Sequence, residues 1–191
     1  MSGFESLVKK IKACTLCENQ LPDGVRPVFQ VHPKAKILIA GQAPGRKVHE
    51  SGIPFDDASG KRLRQWLGVR SEVFYNPEQF AIVPMGFCYP GTGNSGDFPP
   101  RPECEPAWRK PLLEQLPNIV LTVVLGKYAQ NFHFGKSRIT LTERVKSWQR
   151  YWPNKIPLPH PSPRNNIWLY KNPWFEEELL PRLQKKVAEL L

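Results

Sequence analysis

The sequence lacks the features that place a protein in or across a membrane. It contains no apolar run that approaches the length of a membrane span, and its first residues show no signal-peptide pattern. Internal repeats, low-complexity tracts and domain linkers are also missing. A chain of 191 residues can bury a hydrophobic core. We therefore expect a soluble, cytoplasmic, monomeric protein whose residues 1–191 form a single domain.

Acidic residues are scarce. Asp and Glu number 17 against 27 Lys and Arg, which gives a net charge of +10 and suits a polyanionic partner. Between Lys136 and Lys171 there are eight basic residues and one acid, Glu143. Flat rings that can stack on exposed bases are interleaved with them: Trp148, Tyr151, Trp152, Trp168 and Tyr170. This segment predicts a nucleic-acid surface, and the alternative is a solvated basic helix with ordinary core aromatics.

Proline is the residue type in excess. The chain has 21 prolines, about twice ordinary usage, and most of them fall in residues 21–33, 84–111 and 153–163. Because proline lacks an N–H and disrupts helix interiors, we expect these three stretches to be ordered loops rather than helices.

The apolar segments indicate an α/β protein. Four short apolar stretches read as strands, at Lys36–Ala40, 80–86, Ile119–Gly126 and Lys155–Leu158, and helical patterns lie between them. This alternation predicts a three-layer α/β/α sandwich with a central, mostly parallel four-stranded sheet. Ligands in such sheets bind beyond the carboxyl ends of the strands. The loops at 41–45 and 160–165 both follow strands, so we expect them to share one cleft.

Capping residues predict where helices begin. Ser2 and Glu5 have capping-box spacing at the start of a helix over residues 2–13. Ser59 is the predicted N-cap of a helix that ends before Gly68. Another capping box begins at Thr140.

The loop after the first strand carries the first motif. Residues 41–45 read Gly-Gln-Ala-Pro-Gly, a rigid turn whose backbone can approach a ligand closely, and residues 52–60 read Gly-Ile-Pro-Phe-Asp-Asp-Ala-Ser-Gly. Together they resemble the first motif of the family 4 uracil-DNA glycosylases. The resemblance implies that Phe55 stacks on an extruded base, while the backbone of Gln42 and Ala43 contacts the pyrimidine edge.

The second motif follows the last strand, where residues 160–165 read His-Pro-Ser-Pro-Arg-Asn. This sequence resembles the second motif of the uracil-DNA glycosylase superfamily, in the form found in single-strand-selective monofunctional uracil glycosylases. The resemblance implies that His160 stabilises the negative charge that develops on the leaving base. It also implies that Arg164 and Asn165 enter the gap left by the flipped nucleotide, and that Ser162 contacts a phosphate.

Four cysteines form a possible metal site. Cys14 and Cys17 have Cys-x-x-Cys spacing, and Cys88 and Cys104 are the other two. In an intracellular protein this layout favours a metal over disulfides. Closed by Arg-Pro-Glu-Cys at 101–104, it resembles the iron–sulfur site of family 4 glycosylases, which implies a structural [4Fe–4S] cluster. Zinc and unligated core cysteines are the alternatives.

Two positions depart from the family 4 pattern. Gln42 stands where that family has Glu, and Gln cannot act as a general base. Asp57 or Asp56 is then the candidate for orienting the water. An Asn that reads the uracil edge after the second strand is also missing, and backbone groups near Met85 are the candidates to replace it.

These features predict a monofunctional DNA glycosylase that hydrolyses the bond between uracil, or a related deaminated base, and its sugar. DNA containing such a base is the expected partner. No lysine lies in a motif that would mark a Schiff-base lyase. The alternatives are a non-catalytic DNA-binding protein of the same superfamily, which Gln42 favours, and a glycosylase for hypoxanthine or xanthine, which the missing Asn favours.

Overall fold

The computed structural model describes residues 3–94 and 96–191, so the predicted capping residue Ser2 lies outside them. Six strands are present in these ranges: β1 (Ile37–Ala40), β2 (Phe80–Ile82), β3 (Thr92–Gly93), β4 (Gly96–Asp97), β5 (Leu121–Leu125) and β6 (Lys155–Leu158). The main sheet has the order β2-β1-β5-β6 with all neighbours parallel. In its centre, Ile39 pairs with Ile82 on one side and with Val123 on the other. The predicted four-stranded parallel sheet is confirmed.

Helices connect the strands: α1 (Gly3–Lys12), α2 (Arg46–Ser51), α3 (Ala58–Leu67), α4 (Ser71–Phe74), α5 (Lys110–Glu114), α6 (Gly126–Phe134), α7 (Leu141–Lys146), α8 (Asn166–Lys171) and α9 (Leu180–Leu190). Short 3₁₀ turns lie at Glu18–Gln20, Trp148–Arg150 and Pro163–Asn165, and π-helical turns at Glu105–Arg109 and Phe175–Leu179. Within the described ranges, no helix is both long and apolar enough to cross a membrane.

The sheet separates two apolar cores, because successive strand residues point to opposite faces. Ile37 and Ile39 face the core formed with α3, α7 and α9. Leu38 faces the opposite side, where it packs with Ile11 and with Leu112 of α5. Ala40 lies against Ala129 of α6 on that same side. Helices thus cover both faces, which confirms the three-layer α/β/α sandwich.

The N-cap predicted for α3 is wrong by two residues. Asp57, not Ser59, has the extended backbone of an N-cap (φ −154°, ψ −175°), and its Oδ1 accepts the Gly60 N–H at 2.8 Å. Ser59 lies inside the first turn and is buried. Aspartate is as effective a cap as serine, so the local sequence left both registers open. The Thr140 capping box and the Gly68 terminus are confirmed.

The prediction of a loop throughout residues 84–111 is also wrong. Its last part is helical, as the π-helical turn Glu105–Arg109 continues into α5. Pro106 lies in the first turn of the π-helical segment, where a backbone N–H would have no helical carbonyl to bond to. Pro111 lies at the junction where the π-helical turn passes into α5.

Some side chains of the basic segment at 136–171 bond or pack within the protein and are not part of a surface. Arg144 is 3% exposed and donates hydrogen bonds to the carbonyl of Gln130 and to the Ser137 hydroxyl. Lys155 donates to the carbonyl of His133 at 3.4 Å. Trp148 is buried in the core. Only the remaining basic side chains of this segment are available to a polyanion.

Candidate active site

A cleft of about 630 Å³ lies at the carboxyl ends of the parallel strands. The loop after β1 (Gly41–Gly45) and the loop after β6 (His160–Asn165) both line it, although more than 100 residues separate them in the chain. The neighbouring strands β1 and β5 are followed by connections that run to opposite sides of the sheet, to β2 and to β6. A crevice opens between two strands at such a topological switch point. The fold therefore brings the two sequence motifs together.

The Gly41–Gly45 loop is fixed to the segment that follows β2. The Met85 N–H donates to the Gly41 carbonyl and the Gly86 N–H to the Gln42 carbonyl, each at 2.9 Å. In the described ranges, no backbone carbonyl accepts from the N–H of Gln42 or Ala43. Both residues line the cleft, so their amides are available to a ligand.

Phe55 lies across the cleft with an unusual backbone. Its φ of 57° is in the left-handed region, which a bulky residue rarely adopts. Its ring covers Gly41, where a β-carbon would lie 3.4 Å from the ring Cζ. Its carbonyl accepts the Tyr75 hydroxyl at 3.3 Å. The half-buried ring thus has a fixed orientation and lines the cavity.

His160 begins the second motif and is the second residue after β6. Its carbonyl accepts the Asn165 side-chain N–H at 2.7 Å, and its Cβ packs beside Gly126. Burial lowers the pKa of His160, and the charges of Asp57 and Asp97 oppose this only in part. The imidazole is therefore neutral at pH 7, with one ring nitrogen able to donate a hydrogen bond.

Arg62 of α3 holds the His160–Asn165 loop from the side. It donates to the Ser162 carbonyl at 3.0 Å and to the Asn166 side-chain oxygen at 2.7 Å. The Ser162 hydroxyl accepts the Arg164 N–H at 3.2 Å, which caps the short 3₁₀ turn. Ser162, Arg164 and Asn165 all line the cleft, and Arg164 is exposed at its mouth.

Acidic side chains enter the cleft at two places. Asp57 lines it, although one of its oxygens is used to cap α3. Asp56 is exposed and does not line the cavity. Asp97 on β4 also lines it and was missed by sequence reasoning, because the hairpin β3–β4 lies within a stretch read as a proline-rich loop. The turn residues Gly-Asn-Ser-Gly at 93–96 were the available signal.

The segment after β2 enters the cleft differently from the prediction. Pro84 lines the cavity, while Met85 is 7% exposed and packs against Ala40 and Val124. The N–H of Met85 is already bonded to Gly41. Sequence reasoning also missed the cationic rim of the cleft, formed by the exposed Arg46 and Lys47 on α2.

The four cysteines line one small apolar hollow behind the sheet. They come from three separate segments: Cys14 and Cys17 lie between α1 and a 3₁₀ turn, Cys88 follows β2 and Cys104 precedes a π-helical turn. All four are free thiols. Burial raises the pKa of Cys88 to about 12 and that of Cys104 to about 11, so a positive group is needed to keep them as thiolates.

The side chains around the hollow are chemically compatible with sulfur ligands. The Trp108 ring N–H donates to the Cys14 Sγ at 3.1 Å. Apart from Arg101, the remaining walls are apolar side chains such as Ile11 and Phe87. In the two described ranges, no three His, Cys, Asp or Glu side chains are grouped closely enough to hold a single metal ion. The donor set of four thiols around one hollow is chemically suited to a thiolate-bound group.

The fold and the cleft define a three-layer α/β protein whose site, at the strand carboxyl ends, combines a fixed aromatic ring with a neutral histidine. A family model described as the uracil DNA glycosylase superfamily matches residues 28–184. The chain belongs to the uracil DNA glycosylase superfamily.

Two relatives are similar over most of this chain. A type-4 uracil-DNA glycosylase of Archaeoglobus fulgidus is 32% identical over 161 residues, covering 76% of this chain and 72% of that protein. A type-4 uracil-DNA glycosylase of Sulfurisphaera tokodaii is 25% identical over 142 residues, covering 71% of this chain. The match spans only 60% of the length of the Sulfurisphaera protein.

Proposed function

We propose that this protein removes uracil from DNA as a monofunctional glycosylase in base-excision repair, by hydrolysing the bond between the base and its sugar. The observation that carries the proposal is that Phe55 and His160 line one cleft at the ends of the parallel strands, each on a loop held by hydrogen bonds. Membership of the superfamily and two relatives named type-4 uracil-DNA glycosylases support it.

Base recognition follows from the floor and the wall of the cleft. An extruded base enters the cavity and stacks on the Phe55 ring, which recovers part of the stacking lost from the duplex. The free N–H groups of Gln42 and Ala43 donate to acceptors on the base edge. The cavity of about 630 Å³ has ample room for one nucleobase.

His160 acts on the leaving base. When the glycosidic bond breaks, its electron pair leaves with the base, and a base oxygen becomes negative. Asn165 holds the backbone of His160 through its carbonyl, and the neutral imidazole donates a hydrogen bond to the base oxygen. This interaction strengthens as the charge develops. The protein stabilises the transition state without protonating the base first.

The other predicted DNA contacts lie at the mouth of the cleft. Arg164 is exposed at the mouth of the cleft, which supports a role in filling the gap in the base stack. Ser162 and the Arg46–Lys47 rim also line the cleft, which supports contacts with phosphates.

A second substrate class is favoured by one observation. Pro84 lines the cleft after β2 and Met85 is buried, so neither offers a side-chain amide to a base edge. Reading by backbone groups alone discriminates less sharply between uracil and other deaminated bases. Hypoxanthine and xanthine are therefore the substrates to compare with uracil.

We infer that the four cysteines hold a [4Fe–4S] cluster with a structural role. Four thiols from three segments around one hollow would join the end of α1 to the loop that carries Cys104. Protein purified without oxygen should contain about four iron and four sulfide per chain. Cys17→Ser should lower the stability of the fold, because loss of a ligand removes a crosslink. Full-length protein without iron or sulfide would contradict the proposal.

Oligonucleotides that each carry one altered base test the activity. The anaerobically purified protein is incubated with single- and double-stranded DNA containing uracil, hypoxanthine or xanthine, and abasic sites are cleaved with alkali. The expected result is excision of uracil without a borohydride-trapped covalent complex. Tight binding without excision of any base would identify a DNA-binding protein instead.

A further inference from the structure

The proposed hydrolysis needs a water molecule aligned with the sugar carbon and a group to take its proton. Carboxylates are the usual bases for this role. Of the acidic residues that the structure describes, Asp57 and Asp97 line the cleft. Asp57 Oδ1 accepts the Gly60 N–H at 2.8 Å and so helps to begin α3. Asp97 has no such role in a helix.

The hairpin β3–β4 carries Asp97 against the first motif. Thr92 pairs with Asp97 across the hairpin, and the Phe98 N–H donates to the Gly91 carbonyl at 2.9 Å. Asp97 Oδ2 lies 3.6 Å from the point that a β-carbon on Gly45 would occupy. The hairpin thus forms a wall of the cleft beside the Gly41–Gly45 loop.

The Gln42 side chain contacts the same hairpin. Its Nε2 donates to the carbonyl of Phe98 at 3.5 Å, one residue beyond Asp97. An amide at position 42 carries no negative charge and cannot accept a proton from water. The nearest carboxylate on this wall of the cleft belongs to the hairpin rather than to the motif loop.

Two hydroxyl groups fix the orientation of Asp97. The Thr92 hydroxyl donates to Asp97 Oδ1 at 2.6 Å, and the Tyr89 hydroxyl is hydrogen-bonded to Thr92 in turn. Tyr89 is fully buried, so the chain of hydroxyls starts from a rigid position. No lysine or arginine among residues 3–94 and 96–191 forms an ion pair with Asp97. Oδ2 therefore remains available to a water molecule.

We propose that Asp97 is the catalytic base of this enzyme: its carboxylate holds the attacking water and accepts its proton. This inference rests on the proposed glycosylase function. The bond between the sugar C1′ and the base nitrogen breaks, and its electron pair leaves on the base. The water oxygen bonds to C1′, and the water proton passes to Asp97. The base anion is then protonated from solvent and Asp97 releases its proton to solvent, so the products are the free base and an abasic sugar.

The roles of the cleft residues then divide by position. His160 stabilises the leaving base, and the charge of Asp97 is felt at His160, where it favours the protonated imidazole against burial. The two groups act on opposite products of the same bond cleavage. Tyr89 and Thr92 are positioning residues: Thr92 is bonded to Asp97, Tyr89 is bonded to Thr92, and neither lines the cleft.

Isosteric amides separate the candidate bases. Asp97→Asn keeps an oxygen that accepts the Thr92 hydroxyl, and Asp57→Asn keeps one that accepts the Gly60 N–H, so each variant loses charge but not its structural bond. Glu72→Gln is the matched control, since Glu72 is exposed on α4 outside the cleft. Single-turnover excision of uracil, affinity for uracil-containing DNA and thermal unfolding are measured for all three.

The expected result is an excision rate lowered by on the order of 10²–10³-fold in Asp97→Asn, with unchanged affinity and unfolding temperature. Glu72→Gln should match the parent, and Asp57→Asn should lose less than Asp97→Asn. Parental excision by Asp97→Asn overturns the assignment, as does an equal or larger loss in Asp57→Asn. A loss in Asp97→Asn that is explained by weaker binding or unfolding overturns it too. A parent protein that excises no base instead overturns the proposed function, so the two failures are distinct.

The positioning role of Thr92 is tested by a separate pair of variants. Thr92→Val removes the hydroxyl at constant shape, and Thr92→Ser restores it. Thr92→Val should lower the single-turnover rate at saturating DNA without changing affinity, and Thr92→Ser should recover the parental rate. Equal rates for the valine and serine variants would contradict the role of the hydroxyl.

Discussion

The carbonyl oxygen of Phe55 occupies the space beside Gly60 so closely that a β-carbon at position 60 would lie 1.7 Å from it. Position 60 is the third residue of α3, and its N–H bonds to Asp57, so neither chain segment can move away freely. Phe55 itself has a positive φ. The absence of a side chain at Gly60 therefore permits the backbone conformation that aims the Phe55 ring into the cleft.

Gly60→Ala should displace Phe55 and weaken both the fold and base recognition. The clash is with backbone, which cannot rotate away, so we expect a loss of stability of about 1–3 kcal/mol. Chemical denaturation measures it, and the affinity for uracil-containing DNA should fall as well. Gly3→Ala is the control, because a β-carbon there meets nothing within 4 Å. Parental affinity in Gly60→Ala would show that the ring position does not matter.

Arg164→Ala should weaken binding to duplex DNA more than to single strands, since only a duplex has a base stack to fill. Affinity for both should fall steeply with salt, because phosphate contacts release counterions. Arg182→Ala removes the same charge from the exposed face of α9, away from the cleft, and serves as control. An equal loss of affinity for duplex and single-stranded DNA in Arg164→Ala would show that Arg164 only contacts a phosphate.

Acid should destabilise the protein through His133. Burial, with the nearby charges of Arg109 and Lys155, lowers the pKa of His133 to about 3. Between this value and the unfolded value of about 6.5 the unfolded chain binds more protons, so stability falls as the pH falls. At pH 5 the loss from this residue should be about 2 kcal/mol.

Denaturant unfolding at pH 7 and pH 5 measures this loss. His133→Gln keeps an acceptor for the Arg109 guanidinium, which lies 2.9 Å from the His133 ring nitrogen, but it cannot titrate. The dependence of stability on pH should therefore be flatter in His133→Gln than in the parent. Identical pH dependence would mean that His133 is not held neutral.

The sequence alone was sufficient to predict the main sheet and the meeting of the two motif loops. Each main strand is a short apolar run, and a parallel sheet brings the residues after β1 and β6 to one edge, so the meeting of Gly41 and His160 followed from topology. The predicted N-cap of α3 was wrong because two nearby residues give similar capping signals. Asp57 and Ser59 are both good caps, and only the packing of Phe55 against Gly60 decides between them.

Other features could not be read from local patterns at all. Arg144 resembles a surface cation in sequence, yet carbonyl and hydroxyl groups from α6 and the following loop enclose it. Asp97 reaches the cleft only because a two-stranded hairpin folds over the first motif. Both features depend on tertiary contacts, which local sequence patterns do not reveal.

The role of His160 is tested most directly by single-turnover excision of uracil by His160→Ala. Because its hydrogen bond strengthens only as the base becomes negative, the rate should fall by on the order of 10²–10³-fold, while affinity for abasic DNA product stays unchanged. His32→Ala, which alters a histidine outside the cleft, should behave as the parent. A His160→Ala protein that excises uracil at the parental rate would contradict the mechanism.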